Sequence, residues 1–176
     1  MNTKIETQFK RIDAKLLQLL NELSQYSDEK LNSKPSPDTW STLQVIHHLM
    51  LAENLSAKYI QKKLSFNPPL KNVNILTGIR MIVLQNYNLL PIKLKAPKNV
   101  SVENLPEQST FAEASQEWLA QRAALRAYLE TLPEEIFRKE LYKHPIAGRL
   151  SLYGMLAFFE GHFDRHLKQI HRILAS

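Results

Sequence analysis

The stretch SLYGMLAFFEGHFDRHLKQIHRIL (Ser151–Leu174) carries one apolar residue after another at helical spacing: Leu152, Met155, Phe159, then Ile170 and Ile173. Between them, on the same line, stand His162 and His166. A 3.6-residue period puts positions i and i+4 one turn apart on one face, so both imidazoles lie in the seam that a core-facing helix buries. An apolar seam is a costly place for two rings whose nitrogens need partners. A metal ion satisfies them, because neutral imidazole is a common ligand and successive turns can present two rings to one ion. Satisfied core or surface histidines are the alternative reading of the pair taken alone.

Working outward, composition narrows the setting. The chain has 176 residues, 44% apolar and 23% charged, which are ordinary globular values, and the expectation is one domain over residues 1–176. Four glycines favour long helices over a turn-rich β architecture. No cysteine is present, which excludes disulfides, thiolate ligands and a cysteine nucleophile and leaves His, Asp and Glu as ligands. Met1–Lys10 is polar, unlike a signal peptide, and no apolar run approaches a membrane span, so a cytoplasmic protein without membrane association is expected.

The net charge of +6 raises the question of nucleic acid. Its lysines cluster after helices: Lys58, Lys62 and Lys63 in one place, Lys93, Lys95 and Lys98 in PIKLKAPKNV in another. The helix dipole favours cations at C-termini without any ligand. Aromatic interleaving for base stacking and an arginine-lined helix are both lacking, so no nucleic-acid partner is expected. A small anionic ligand is the better functional alternative to a merely solvated surface.

The remaining segments read as helices. Ile5–Gln25 carries Ile5, Phe9, Ile12, Leu16, Leu19 and Leu20 on one face. The polar connection SDEKLNSKPSPDTW follows, and Ser41 with Gln44 three residues on has the capping-box pattern for a helix running to about Phe66, before Pro68 and Pro69. A shorter helix is expected at Ile75–Leu89, ending near Pro91. The segment PIKLKAPKNVSVENLPEQST is the longest irregular stretch and is expected to wrap the surface. Thr110, with Glu113 three residues on, opens a helix to about Leu132, followed by a short helical turn at Pro133–Phe137. HPIAGRLS (His144–Ser151) reads as a turn-rich lead-in to the last helix, capped by Ser151. Four long amphipathic helices without a strong strand signal make an all-α four-helix bundle, with additional short helices in the connections. The unequal connections do not imply simple up-down topology.

In WSTLQVIHHLMLAE (Trp40–Glu53) the inward stripe is Val45, His48, Leu49, Ala52 and Leu55. His48 thus joins His162 and His166 inside one bundle, while His47 is rotated about 100° onto a flank. Three protein nitrogens leave a coordination position open for water or substrate, as catalytic sites do. An ion there would lower the pKa of bound water or a thiol. His171, half a turn around the helix from His162, is read as solvent-facing, and His144 as a turn residue in a loop, with a role at the site entrance as the alternative. Glu53, Asp164 and Gln169 are candidates to orient imidazoles, with surface pairing favoured for Asp164. Trp40 is read as packing at the helix start. Arg165 and Tyr153 are read as surface residues, with an opening for an acidic substrate as the alternative.

These stretches carry a resemblance. WSTLQVIHHL, HPIAGRLSLYGMLAF and HFDRHLKQIHRI together resemble the DinB-like (DinB/YfiT) superfamily, whose members show a Trp-Ser helix start, a His-Leu pair within that helix, and a later His-x3-His followed by Gln-Ile. Those elements fall here on Trp40–Ser41, His48–Leu49, His162, His166 and Gln169–Ile170. The resemblance implies a four-helix bundle that binds a divalent metal through His48, His162 and His166. Zinc or nickel is the usual ion, with manganese and iron as further candidates. It also implies frequent homodimerisation. Some relatives are thiol-dependent transferases joining a low-molecular-weight thiol to an electrophile, and others are isomerases. The family name describes regulation by DNA damage and carries no evidence of DNA chemistry. The expected function is therefore a metal-dependent enzyme acting on a small molecule: a thiol S-transferase, or a related hydrolase or isomerase, working through a metal-bound thiolate or water. The alternative is a non-catalytic bundle that binds metal or a small ligand in a sensing or interaction role.

Overall fold

A computed structural model describes residues 3–86, 101–145 and 147–176. Four long helices dominate: α1 (Thr3–Leu23), α3 (Thr42–Ser65), α5 (Phe111–Glu130) and α6 (Leu152–Leu174), with the short α2 (Asp28–Asn32) and α4 (Ile75–Asn86) in the connections. The all-α bundle expected from the periodicity is what forms. Ser41 Oγ accepts from the Gln44 N–H while Gln44 Oε1 accepts from the Ser41 N–H, completing the capping box of α3. Thr110 caps α5 and Ser151 caps α6 in the same way, accepting from the backbone N–H three residues on.

Helix direction follows from which ends share a core. Ile5, Phe9 and Ile12 of α1 pack with Ile60 of α3, Leu125 and Leu129 of α5, and Leu152, Met155 and Phe159 of α6. Leu16, Leu19 and Leu23 pack with Leu43, Val45 and Leu49 of α3, Trp118 of α5, and Phe163, Ile170 and Ile173 of α6. So α1 and α6 run one way, α3 and α5 the other. Two consecutive long helices that run parallel need a long return connection, and residues 66–110 supply it. That return carries α4, which packs Met81 and Leu84 onto the core. Its outward side (Ile75, Leu76, Ile79, Ile82, Val83) is apolar and exposed.

Two local features depart from the reading of the sequence. Within SDEKLNSKPSPDTW, Ser27 caps the five-residue α2, and Leu31 is completely buried against the second cluster. The HPIAGRLS lead-in belongs to an antiparallel hairpin, β1 (Tyr142–His144) and β2 (Gly148–Leu150), with Tyr142 opposite Leu150 and His144 opposite Gly148. Strands of three residues are too short to show a period of two. Gly148 has a φ of 78°, the left-handed backbone that glycine adopts without strain. The helix expected to reach Leu89 is described as far as Asn86. Leu89, Pro91, Lys93, Lys95, Lys98 and most of the segment expected to wrap the surface lie outside the described residues. Among the described residues, no helix is long and apolar enough to cross a membrane.

Candidate metal centre

Helix α6 delivers His162 and His166 from consecutive turns, and α3 delivers His48 across the helix–helix seam. The three Nε2 atoms converge: His48 lies 3.2 Å from His162, and His162 lies 3.1 Å from His166. Ligand atoms of all three fall within 4.8 Å of one another, a grouping able to hold a metal ion. Tetrahedral zinc with nitrogens at about 2.0–2.1 Å sets neighbouring ligand nitrogens roughly 3.3 Å apart, close to the contacts found here.

Proton counting points the same way. His166 Nδ1 lies 2.8 Å from Gln169 Oε1, and a carboxamide oxygen only accepts, so the ring proton sits on Nδ1 and Nε2 presents a lone pair. His162 Nε2 carries either a proton or a lone pair, yet it faces a second nitrogen on each side. Among neutral rings, one shared proton cannot fully serve both contacts. A cation at the convergence satisfies three lone pairs at once, so the residues present fit a divalent metal. Burial first, and the neighbouring His48 next, push the His166 pKa down to about 3, although Gln169 opposes the shift. His162 is held well below the usual histidine range by burial, then by His166, His48, His144 and Arg165. Both rings are therefore neutral near pH 7, the form that ligates.

Two aromatic rings wall the cluster. Trp40 lies 4.9 Å from the His48 ring and stacks on His166 at 6.4 Å with 10° between planes. Phe158 stacks on His162 at 5.1 Å and 18°. His48 and His166 are buried, at 4% and 9% exposure, whereas His162 keeps some accessible surface, so the triad stands at the edge of the core.

The other singled-out residues fall elsewhere. His47 is on its flank, with Nε2 2.8 Å from Ser109 Oγ. His171 is half-exposed and pairs with Glu22 at 3.1 Å. Asp164 makes the surface pair expected of it, with Lys15 at 2.7 Å. Gln169 orients an imidazole, and Glu53 does not. The Glu53 carboxylate receives Arg122 Nε at 2.5 Å, Arg122 Nη2 at 2.6 Å and Trp118 Nε1 at 3.1 Å, so it joins α3 to α5. Tyr153 packs near Phe137, with the Lys4 ammonium over its ring, away from the triad.

His144 is the residue whose role the sequence concealed. It is buried in β1, where Nδ1 accepts from the Ala147 N–H at 3.0 Å and the ring meets Phe158 edge-on at 4.5 Å. Burial lowers its pKa to about 4. The Phe158 ring thus touches both His144 and His162.

The depressed values set a pH dependence. His144 and His166 titrate near 6.5 in the unfolded chain but near 4 and 3 when folded. Between those limits the unfolded chain binds protons that the fold refuses, so stability is full above pH 6.5 and falls as pH drops. In chelator, the urea midpoint is expected to be flat above pH 7 and to decline below 6.5. Each such histidine contributes on the order of 3 kcal/mol by pH 4, and His144→Gln removes one share of the slope. A midpoint constant from pH 7 to about 4.5 contradicts the neutral, buried state of these rings.

With the geometry in place, comparison with known proteins decides the family. The family model described as the DinB superfamily matches residues 8–170. The chain belongs to the DinB superfamily. It is also 31% identical over 157 residues, covering 89% of this chain and 91% of the relative, to the uncharacterized protein YuaE of Bacillus subtilis (strain 168). Within this DinB-superfamily chain, the three histidines brought together are those marked out by the motif stretches, and the matched region contains all of them.

Proposed function

We propose that this DinB-superfamily protein is a metal-dependent thiol S-transferase, holding one divalent cation, zinc or nickel foremost, through His48, His162 and His166. The convergence of three imidazole nitrogens, two of the pairs at 3.1–3.2 Å and all within 4.8 Å, carries the reading. When bound, the cation supplies Lewis acidity and lowers the pKa of a thiol or water in its open position. The chain's own part is to hold the imidazoles in place: Gln169 fixes the tautomer of His166, and burial keeps protons off His162 and His166. In the transfer, thiol sulfur forms the new carbon–sulfur bond, the leaving group departs with its bonding pair, and the thiol proton passes to solvent.

Chlorodinitrobenzene offered with a panel of low-molecular-weight thiols tests this reading. Zinc- or nickel-loaded protein is expected to accelerate thioether formation with at least one thiol, and the rate falls to background in chelator. Stoichiometric metal without acceleration by any thiol overturns the transferase assignment and favours a non-catalytic metal-binding bundle. The family resemblance extends the reading to a homodimer acting on a small molecule, and the polar N-terminus to a cytoplasmic location, for which equilibrium sedimentation and cell fractionation are the tests.

A further inference from the structure

We infer that Trp40 is a positioning residue for the metal centre, setting the ring planes of ligands on two different helices. This rests on the metal-binding reading above. Trp40 immediately precedes the Ser41 cap of α3, and a residue there ordinarily packs against the fourth helical position as a staple. Trp40 does join the cluster containing that residue, Val45. Its ring reaches further. It lies against His48, the α3 ligand, and is nearly parallel to His166, the α6 ligand, with 10° between planes.

A ligating imidazole must aim its lone pair at the ion, so rotation about the side chain has to be restrained by a neighbour. Polar partners usually supply that restraint, as Gln169 does for His166. A flat indole face does so by contact. It restricts rotation of a ring lying against it, and here the indole lies beside rings from both sides of the helix–helix seam. Phe158 acts in the same way on His162, at 18° between planes. Aromatic rings thus contact all three ligands, and Trp40 links the two helices that supply them. The other tryptophan, Trp118, is fully buried, bound to Glu53, and part of the same cluster that Trp40 packs against, so the variants keep apolar bulk at position 40.

The test separates ring-plane control from simple filling. The full chain, as unsubstituted protein and as Trp40→Phe and Trp40→Leu, is titrated with zinc alone against a competing chelator. Cobalt(II) ligand-field spectra are recorded in parallel. Trp40→Phe keeps a flat face and is expected to bind zinc within about threefold of the parent, while Trp40→Leu keeps apolar bulk without a plane and binds roughly 10–100-fold more weakly. The cobalt spectrum changes in the leucine variant only. If Trp40→Leu fails to fold, Trp40→Met provides the same apolar, non-planar comparison at that position. Equal zinc affinity and matching cobalt spectra for the phenylalanine and leucine variants overturn the inference and leave metal binding intact. A parent protein that takes up no zinc overturns both.

Discussion

Replacing His48, His162 and His166 together with alanine abolishes stabilisation by added metal. An ion that binds only the folded chain adds about 2.7 kcal/mol at a free concentration 100-fold above Kd. For a domain of this size that corresponds to roughly 5–10 °C in Tm. The unsubstituted protein is expected to gain that increment with zinc or nickel, and the triple variant to gain nothing while keeping its helical circular dichroism. Each single substitution leaves two ligands and weakens binding by at least about 100-fold, more than loss of a residue that only supports a ligand. The measurement is thermal unfolding in chelator and in a metal series. A parent protein whose Tm ignores zinc, nickel, manganese and iron(II) has no metal centre at this triad.

The largest purely structural effect is expected at Glu53 and Arg122. The pair is buried, at 5% and 4% exposure, and bidentate, with Asp13 lying 3.4 Å from Arg122 Nη1. Removing either partner strands a charge away from water, which costs about 3–5 kcal/mol and lowers Tm on the order of 10 °C. Arg122→Leu and Glu53→Leu should each show that loss in urea unfolding. The double variant recovers most of it, because replacing a buried pair by apolar side chains is often neutral. Zinc affinity stays close to the parent value in the double variant, since Glu53 does not touch the imidazoles. Single variants that lose less than about 1 kcal/mol would mean that the pair is well hydrated.

The same arginine shows how much of the molecule was legible beforehand. The buried residues of α5 are Ala114, Trp118, Arg122, Leu125 and Leu129, an apolar stripe interrupted by one cation. Two imidazoles interrupting the stripe of α6 signal chemistry, and the guanidinium in α5 is a sign of the same kind. Its meaning is not local, because its partner lies 69 residues away, on α3. Helices, caps and the histidine spacing are local properties and could be read directly. The shared direction of α3 and α5 depends on which helix ends meet, which only packing decides. The fate of His144 depended on a hairpin of three-residue strands, and Leu31 needed its burial in the core to turn a polar connection into a helix.

His48 and His162 stand 114 positions apart in the chain, although their nitrogens touch. Bringing such distant segments together requires closing a long loop, and α3 must already be seated on α6 before three ligands exist. An ion can meet all three ligands only once α3 is seated on α6, so its contacts belong to the assembled bundle. Contacts that form only after the transition state slow unfolding and leave the folding rate unchanged. The triad is placed to act as a latch on an assembled bundle, and metal would lengthen the lifetime of the native state more than it would speed its birth.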